Sequence, residues 1–543
     1  MPKTTQTIRR IDELEGLVVG FKQEIEKFKV ELADLASQRD RYKDLYLNTL
    51  EQCRKLELGI LAGQKREKLP RDEGQLTLGV LEMLLGSQPP EAPQMEKVEA
   101  HERRKPTGRK PLPENLPRID IEVIPPDVQE KGLESFEKIG EDVTESVERR
   151  PGSLVVVAMH RSKYVPKDRE RGAVTKVIQG ATLELPIERG LAGPGLLADT
   201  VVKRWQDHLP LYRMERIYGR EGLELARSTI CGWHEELGRL ARPVVDAMWA
   251  DALNAPYLCT DATGVLVQEL KKCRSAHFFV VASPEKHVLF GYAPKHDSEA
   301  VDKLLGGYKG YLVADAHTVY DHLYRQGDVI EVGCWAHGRR YFFKSLTSDP
   351  ENAKAALAYI KTLFVIERAH ATSPPEIKHR IRQEQARPVV EEFFSWCDAM
   401  APKVLDETPI SKAIGYARNQ REALMRFLDD GRLPIHNNFS ERQLRREAIG
   451  RKNWLFLGND EGGETNATFV SLLASCQLHD IEPLGYLRDL FCLLPSWSNK
   501  RVLELAPAYW TTTLAGEETQ RKLAANVYRQ ISLGATGPIR ITL

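Results

Sequence analysis

The sequence predicts a multidomain α/β protein, and three observations support this class. The chain has 543 residues, more than one ordinary hydrophobic core accommodates. Heptad-spaced apolar residues open the chain, and a Pro-rich charged segment follows them. Between residues 251 and 344, strand-like and helix-like runs follow one another in the order β-β-β-α-β-α-β.

A long helix is predicted at the amino end, over residues 1–62. Apolar side chains occupy two heptad positions, namely Ile11, Val18, Ile25 and Leu32 at one, and Leu14, Phe21, Phe28 and Leu35 at the other. Sustained heptads with Glu and Lys between them are typical of a coiled coil. A helix packed on its own protein body would also explain the stripe. Its regularity favours self-association, so we expect a homodimer or a higher oligomer.

The composition changes over residues 63–126, which are predicted to form a Pro-rich, basic linker. Such a segment cannot bury enough apolar surface to order itself. Its RRK and GRK clusters suit contacts with DNA phosphates, and a solvated linker explains them equally well. Residues 127–190 then contain the apolar runs LVVVAMHRSKYV and TKVIQGATLELPIE, which predict a small β-rich domain.

Residues 191–250 carry a helix-turn-helix pattern. A helix through Leu211 to Tyr218 is followed by the Gly-bearing turn GREGLELA, and Arg227, Ser228 and Thr229 open a second helix. A helix start rich in capping residues and short side chains lets backbone and base-reading groups approach a major groove. A plain helical hairpin has the same pattern, so the sequence fits both DNA reading and a structural role.

The predicted core, residues 251–344, contains two acids in strand-like settings. Asp261 lies in YLCTDATGVLV and Asp315 in GYLVADAHTVY, each preceded by apolar residues. A carboxylate at the end of a buried strand is costly unless it binds a cation. The rest of the chain divides by prediction into a helical insertion, a second part of the core and a C-terminal tail: residues 345–430, 431–500 and 501–543.

The third candidate acid, Glu441, lies in a basic stretch of the second core part. The cations around it are Arg442, Arg445, Arg446, Arg451 and Lys452. This setting suits a site that holds a metal ion and also grips phosphates, and Asn437 and Asn438 before it suit helix caps or groups around the metal. Three carboxylates brought together by a fold are what a two-metal phosphoryl-transfer site requires. We therefore predict Asp261, Asp315 and Glu441 as catalytic metal ligands, and the cations as DNA contacts.

Trp335 and His337, in the motif CWAH, are further candidate DNA contacts. The C-x-x-H spacing alone cannot complete a zinc site. We predict a strand end whose His and Trp face the active-site groove, with the Trp335 ring available to stack on a base. A buried structural strand end fits the cysteine of this motif equally well. Rival acids in or near predicted helices, where surface roles suffice, are Asp297, Asp302 and Asp321.

Charge and cysteine content indicate the cellular setting. Lys plus Arg number 77, as do Asp plus Glu, so net charge predicts no polyanionic partner and only local patches would bind nucleic acid. The eight cysteines form no C-x-x-C pair, as expected of reduced thiols in the cytoplasm. The amino end lacks an apolar signal core and no long apolar stretch occurs, so we expect a cytoplasmic protein without membrane contact.

Several long motifs resemble the insertion-sequence-66 family of transposases. NNFSERQLRREAIGRKNWLFLGNDEGG and LHDIEPLGYLRDLF resemble the C-terminal half of that family, and the resemblance continues upstream through CWAHGRRYFF, VADAHTVYDHL and TDATGVLV. It also includes DHLPLYRMERIYGREGLELARSTICGWHEEL and the linker RKPTGRKPLPENLPR, so it covers nearly the whole chain. The resemblance implies an RNase H-like catalytic core with a helical insertion, which the order of predicted strands and helices matches. It also implies that Asp261, Asp315 and Glu441 are the three acids of that core.

The activity implied by this resemblance is that of a DDE-type transposase. Such an enzyme binds the terminal inverted repeats of its element and catalyses Mg²⁺-dependent strand cleavage and strand transfer. The implied cofactors are two Mg²⁺ ions, for which Mn²⁺ is able to substitute. The implied partners are double-stranded DNA, both transposon ends and target, and accessory proteins of the same element. The expected location is the nucleoid within the cytoplasm.

Residues 127–190 depart from the family pattern. Relatives usually carry two Cys pairs here that form a zinc-binding module, whereas LESFEKIGED and SKYVPKDRE contain no Cys. Thiolate ligands are what close such a site, so a degenerate β domain without zinc is expected. This loss favours one alternative, a catalytically silent DNA-binding or regulatory protein derived from a transposase. The three intact acids favour the enzyme.

Overall fold

The computed structural model describes residues 26–29, 32, 112–114, 116–150, 152–167, 177–188, 190–270, 272–536 and 538–542. Its internal contacts divide the chain into two compact units. The smaller unit contains Arg339–Lys361 and Phe393–Arg418, together with Met1–Pro106, most of which lies outside the described residues. The larger unit contains Thr107–Gly338, Thr362–Glu392 and Asn419–Leu543.

The described strands all belong to the larger unit. They are β1 (Arg118–Ile124), β2 (Phe136–Arg150), β3 (Ser153–Pro166), β4 (Ile178–Gln179), β5 (Tyr257–Val267), β6 (Arg274–Ser283), β7 (His287–Ala293), β8 (Gly310–Val313), β9 (Val329–Val332) and β10 (Ile539–Thr542). 

The described α-helices extend over both units. They are α1 (Pro126–Lys131), α2 (Pro194–Trp205), α3 (Leu211–Arg220), α4 (Arg227–Ala252), α5 (Ser298–Leu305), α6 (Asp321–Gln326), α7 (Trp335–Lys344), α8 (Pro350–Ala369), α9 (Pro375–Ile381), α10 (Arg387–Met400), α11 (Pro409–Asn419), α12 (Arg421–Met425), α13 (Asn438–Trp454), α14 (Asp460–Leu478), α15 (Pro483–Leu493), α16 (Pro507–Ala515), α17 (Glu517–Ala525) and α18 (Val527–Ser532).

The first sheet forms the β-rich domain that the sequence predicts. Its strand order is β10-β1-β3-β2, and β4 pairs with β3. Strands β3 and β10 run parallel to β1, whereas β2 runs antiparallel to β3. The core of the sheet joins Ile121 and Val155 to Tyr528 and Ile531 of α18, and all four are buried. Apolar side chains at alternate strand positions therefore supply one buried face.

Two predicted boundaries are wrong. The linker was expected to reach residue 126, but β1 begins at Arg118, because the alternating apolar residues of RIDIEVI supply one face of a strand. Residues 501–543 were expected to form a tail, but they contain α16, α17, α18 and β10. Since β10 pairs with β1 from Ile121 to Ile124, this segment completes the first sheet.

The β domain is stabilised by apolar packing. Val128, Phe136 and Tyr164 form a second buried cluster with Ile124. We expect the purified protein to contain no stoichiometric zinc, because the cysteines that would bind it are missing from this domain. Elemental analysis after dialysis into metal-free buffer measures the zinc content. One zinc per chain would contradict the prediction and would direct attention to His160.

Two helices, α3 and α4, lie where the helix-turn-helix pattern predicts them. Ile230, Trp233 and Leu237 of α4 are buried, as their helical spacing predicts. The expected cap-rich start is wrong, because Ala226 is the N-cap residue and makes no side-chain capping bond. Helix α4 is 26 residues long and continues past an internal proline, Pro243.

The second sheet contains the strands predicted between residues 251 and 344, and their order along the chain is confirmed. The sheet order is β7-β6-β5-β8-β9. Strands β5, β8 and β9 are parallel, and β6 is antiparallel to both of its neighbours. Val301 of α5 and Leu323 of α6 join Phe279 and Leu312 in one buried cluster on this sheet.

Helix α14 covers the outer edge of β7. The Ser471 hydroxyl accepts a hydrogen bond from the Phe290 backbone N–H at 2.8 Å, and the Ser475 hydroxyl accepts one from the Val288 N–H at 3.0 Å. An unpaired strand edge would otherwise offer these groups to another chain. The second sheet is thus closed at β7 by side-chain hydroxyls.

Between β9 and α13 the described residues contain helices and no strand, as the sequence predicts for residues 345–430. The prediction for CWAH is wrong, because β9 ends at Val332 and α7 begins at Trp335. The backbone leaves the sheet at this point: the Gly333 N–H donates to Ala423 O at 2.8 Å and the Trp335 N–H donates to Ile435 O at 3.1 Å. The motif therefore opens a helix.

The predicted coiled coil and most of the linker lie outside the described residues. Within the coil, residues 26–29 are helical. Phe28 and Leu32 are 62% and 66% exposed. The coil and its self-association stay predictions. No described helix combines the length and apolar character needed to span a membrane.

Candidate active site

Two of the predicted acids lie just beyond the end of the ladder that joins β5 and β8 in the second sheet. Strands β5 and β8 pair in parallel, and their ladder ends at the pair Cys259 and Val313. Asp261 and Asp315 each follow two residues later, Asp261 within β5 and Asp315 just beyond β8. Parallel strands in register carry equivalent residues side by side. Two half-buried carboxyl groups therefore occupy equivalent backbone positions.

The charges of both acids affect the pKa of a buried tyrosine, Tyr320. Its hydroxyl lies 3.4 Å from Thr260 Oγ1. Burial is the main cause that raises the pKa of Tyr320, and the negative charges of Asp315 and Asp261 raise this pKa further. Tyr320 therefore stays protonated at neutral pH and adds no further negative charge beside the acids.

The third acid, Glu441, lies in the first turn of α13, a helix that packs on β5. Its Oε1 lies 3.3 Å from Nε2 of His337, a residue in the first turn of α7. The structure thus brings together a predicted metal ligand, Glu441, and a predicted DNA contact, His337. At this distance the imidazole limits the orientation of the carboxylate.

The buried Asn437 joins the segments that carry the acids. Its Nδ2 donates to Thr260 O, next to Asp261, at 2.7 Å, and its backbone N–H donates to the Cys334 sulfur at 3.2 Å. The Ser440 hydroxyl in turn donates to Asn437 Oδ1. Asn437 is the N-cap residue of α13, but its side chain makes no capping bond. Its side chain instead fixes α13 against β5.

The donor chemistry of the three acids fits a hard divalent cation. Carboxylate oxygens are the ligands that Mg²⁺ prefers. Asp261 and Asp315 come from neighbouring parallel strands, and Glu441 from a helix on the same sheet. In the part of the chain that the structure describes, no three His, Cys, Asp or Glu side chains are gathered around one point that could hold a metal ion. The chemistry of the three acids therefore fits Mg²⁺, although their side chains are not drawn together around a single point.

The outer face of α13 is basic. Arg442, Arg445 and Lys452 are exposed. Arg446 lies in a groove of about 480 Å³ that also contains Arg442 and Arg445, three glutamines and no carboxylate. One Arg446 nitrogen donates to Gln206 Oε1 at 2.9 Å. Three guanidinium groups without an acid create a positive potential that attracts a polyanion.

Two residues predicted as DNA contacts serve the protein instead. Trp335 is 1% exposed, and its Nε1–H donates to Leu424 O at 2.8 Å. The prediction that its ring stacks on a base is wrong, because the ring is enclosed by protein. Arg451 donates to Thr263 Oγ1 at 2.8 Å and to Gly264 O. This guanidinium joins the end of α13 to β5.

The remaining predicted DNA contacts, Arg227, Ser228 and Thr229, are exposed in the first turn of α4. Arg227 Nε lies 3.2 Å from Glu215 Oε2 of α3, which links the two helices of the hairpin. The three side chains face solvent on an element other than those that carry the acids. Their exposure leaves them accessible to a ligand.

Sequence reasoning missed Glu447, which lies six residues after Glu441 on α13 and is buried. Burial raises the pKa of Glu447 to about 7, against the opposing charges of Arg204, Arg451 and Arg446. Asn466 Nδ2 donates to Glu447 Oε2 at 3.3 Å, so this acid connects α13 to α14. The helical spacing of buried Ser440, Leu444 and Glu447 is the signal that would have revealed it.

Residues 189–465, more than half of the chain, match the sequence model described as Transposase IS66 family. The chain belongs to the IS66 transposase family. The matched residues include Asp261, Asp315 and Glu441 as well as the basic face of α13. A second match, of residues 61–121, is to the model described as Transposase C of IS166 homeodomain. The resemblance drawn from the sequence motifs is confirmed.

Proteins of Sinorhizobium fredii (strain NBRC 101917 / NGR234) are similar to this IS66-family chain over most of their length. Uncharacterized protein y4qI is 30% identical over 426 residues, which are 75% of this chain and 78% of y4qI. Uncharacterized protein y4hP is 27% identical over 483 residues, 83% of this chain and 86% of y4hP. Uncharacterized protein y4jD is 27% identical over 428 residues, 75% of this chain and 83% of y4jD.

Glu447 is expected to make the stability of this IS66-family protein depend on pH. Its folded pKa of about 7 exceeds the ordinary value of 4.5, so the folded chain binds this proton more tightly than the unfolded chain. The free energy of unfolding therefore falls as the pH rises through the window between 4.5 and about 7. Glu447→Gln stays neutral and should remove this fall, worth about 3 kcal/mol above the window.

Urea unfolding below and above that window measures the effect of Glu447→Gln. Asp246→Asn, which changes an exposed acid paired with an arginine, Arg242, is the matched control. The control should keep the wild-type dependence on pH. An identical dependence in Glu447→Gln and wild type would contradict the assignment.

Proposed function

We propose that the chain is an active transposase with an RNase H-like catalytic core, which binds the ends of its element and cleaves and transfers DNA strands. The equivalent positions of Asp261 and Asp315 beyond the β5–β8 ladder carry the proposal. Glu441 on a helix packed against β5 adds the third acid. The sheet order β7-β6-β5-β8-β9, with three antiparallel strands followed by parallel ones, supports the RNase H-like assignment.

Asp261, Asp315 and Glu441 would hold two Mg²⁺ ions, and Mn²⁺ would be able to substitute for them. When bound, such ions activate a water or a 3′-hydroxyl and stabilise the leaving oxygen. His337 positions the Glu441 carboxylate through its Nε2, and Asn437 holds α13 against β5. No protein nucleophile is required, so no covalent bond between protein and DNA forms.

The proposed DNA contacts are those basic and polar side chains that the structure leaves exposed or lining the groove. Arg442, Arg445, Arg446 and Lys452 would bind phosphates along α13. Arg227, Ser228 and Thr229 would read the transposon end from the helix-turn-helix pair α3 and α4. Trp335 is left out because its ring is enclosed by protein, and Arg451 is left out because it binds β5 and does not line the groove, as Arg446 does. We also propose that accessory proteins of the same element are partners of this chain and that the chain associates with the nucleoid.

Cleavage of a supercoiled plasmid that carries the element's own ends tests the proposal. With Mg²⁺ the protein should nick the plasmid at the element's ends and leave 3′-hydroxyl groups, and with excess EDTA it should not. Binding of the same ends in gel shifts, measured beside cleavage, separates the two candidate functions. Ends that are bound but never cut, with either Mg²⁺ or Mn²⁺, would favour the catalytically silent DNA-binding protein.

Pairing of two ends requires two copies of the active site, and the predicted coil over residues 1–62 is the proposed source of dimerisation. Replacing Val18 and Ile25 by Lys should place like charges in the apolar seam and split the dimer. Light scattering should then show a smaller species that binds single ends and forms no paired-end complex. A variant that keeps the wild-type mass and still pairs ends would place dimerisation elsewhere.

A further inference from the structure

We propose that helix α7 carries a binding surface for single-stranded DNA, the α7 surface, which consists of Arg339, Arg340, Tyr341, Phe343 and Lys344 together with Tyr416. The proposal rests on the proposed function, because an enzyme that cuts and transfers strands exposes unpaired bases. The residues of the α7 surface all belong to the smaller unit.

Phe342 fixes the direction in which the α7 surface faces. Its side chain is fully buried, with its ring centroid 5.8 Å from that of Phe393 in an edge-on contact. Successive residues of an α-helix are turned by about 100°. Tyr341 and Phe343, on either side of this anchor, are therefore directed outward, and they are 39% and 51% exposed.

Exposed aromatic rings give the surface a stacking platform. The rings of Tyr341 and Tyr416 stack with centroids 4.7 Å apart and an angle of 25° between their planes. Burying these rings against a partner would remove apolar area from water, and a flat ring offers its face to any base. Paired bases inside a duplex hide their faces, so the platform fits unpaired bases.

Each of the two exposed rings of α7 has a cation beside it. The guanidinium carbon of Arg339 lies 5.8 Å from the centroid of Phe343, and Lys344 Nζ lies 5.8 Å from that of Tyr341. Helix α7 reads WAHGRRYFFK and contains no acid. This charge complements the phosphates of a strand whose bases stack on the rings. A protein partner would have to supply several carboxylates and apolar side chains at once, whereas single-stranded DNA supplies charge and rings at every nucleotide.

The test measures binding of a fluorescent twenty-nucleotide oligothymidine by anisotropy. The full chain carries Glu441→Gln and the buffer contains EDTA, so the result does not depend on cleavage and stays readable if the plasmid assay fails. Combining Tyr341→Ala with Phe343→Ala should weaken binding about tenfold or more. Tyr341→Phe with Phe343→Tyr keeps both rings and should bind within about twofold of the parent.

Leu405→Ala is the matched control for loss of exposed apolar area. Leu405 is 48% exposed in the same unit, but it is followed by Asp406 and Glu407. This control should leave binding of the oligonucleotide unchanged. Circular dichroism melting of each variant verifies that it folds.

The cations allow a test that leaves the rings in place. Arg339→Gln with Lys344→Gln should reduce the slope of log binding constant against log salt by about 1.4, since each phosphate contact on a single strand contributes about 0.7. Unchanged oligonucleotide binding in the double alanine variant, or an unchanged salt slope here, would overturn the proposal. So would a fall in oligomeric mass in the alanine variant, which would make the surface an interface between copies.

Discussion

Asp261→Asn is expected to abolish strand cleavage, by about a thousandfold or more, while end binding stays close to that of wild type. The substitution keeps the shape of the side chain and removes the negative charge that a metal ligand requires. Because the basic groove on α13 has no carboxylate, its attraction for DNA does not depend on Asp261. Plasmid cleavage and gel shifts on the same preparation measure the two activities.

Asp315→Asn and Glu441→Gln should give the same separation of cleavage from binding. Asp321→Asn is the control, because Asp321 lies on α6 and pairs with Arg325 at 3.8 Å. The control should cleave like wild type. Wild-type cleavage by any one of the three test variants would remove that residue from the proposed triad.

Arg382→Leu is expected to have the largest effect on stability, lowering the free energy of unfolding by about 3–5 kcal/mol. Arg382 is 2% exposed and lies in a π-helical turn, Arg382–Ala386. Its guanidinium donates to both carboxylate oxygens of Glu367 at 2.7 Å. It also donates to the backbone carbonyl groups of Phe427, Asp430 and Leu433 at 2.7–2.9 Å. Leucine would remove all five of these hydrogen bonds and leave the Glu367 carboxylate without this buried partner.

Urea denaturation of Arg382→Leu and wild type measures this loss. Arg432→Leu is the matched control, because Arg432 is half exposed and pairs with Asp430. Exposed ion pairs contribute about 0–1 kcal/mol, so this variant should unfold close to wild type. Equal losses in the two variants would show that the buried arrangement around Arg382 is not what stabilises this region.

The sequence predicts the second sheet well because its signals are local. Apolar runs bounded by turn residues identify the strands β5 to β9, and Asp261 and Asp315 follow from their places on those runs. The first sheet is predicted less completely. Strand β1 pairs with β10, and Arg540 contacts Glu122 across 418 residues of sequence. No pattern within one segment reports a partner at that separation.

The errors in the candidate site have the same origin. CWAH follows a strand in sequence, but whether Trp335 faces a groove or the interior depends on Leu424, which lies 89 residues away. The role of Asn437 depends on Thr260, 177 residues away. The cluster of Arg and Lys residues around it indicated Glu441 in the sequence. The burial of Glu447, in contrast, emerges only when α14 packs against α13. Long-range packing decides which polar residues serve the fold and which are left for a ligand.

The most direct measurement of the central claim uses Fe²⁺ in place of Mg²⁺. With ascorbate and peroxide, a bound Fe²⁺ ion generates hydroxyl radicals that cut the nearby polypeptide. If Asp261, Asp315 and Glu441 hold the same cations, fragments should end near all three residues. Excess Mg²⁺ should suppress these cuts, and Glu441→Gln should lose them. Cuts at other positions that survive in Glu441→Gln, with none near the three acids, would contradict the account.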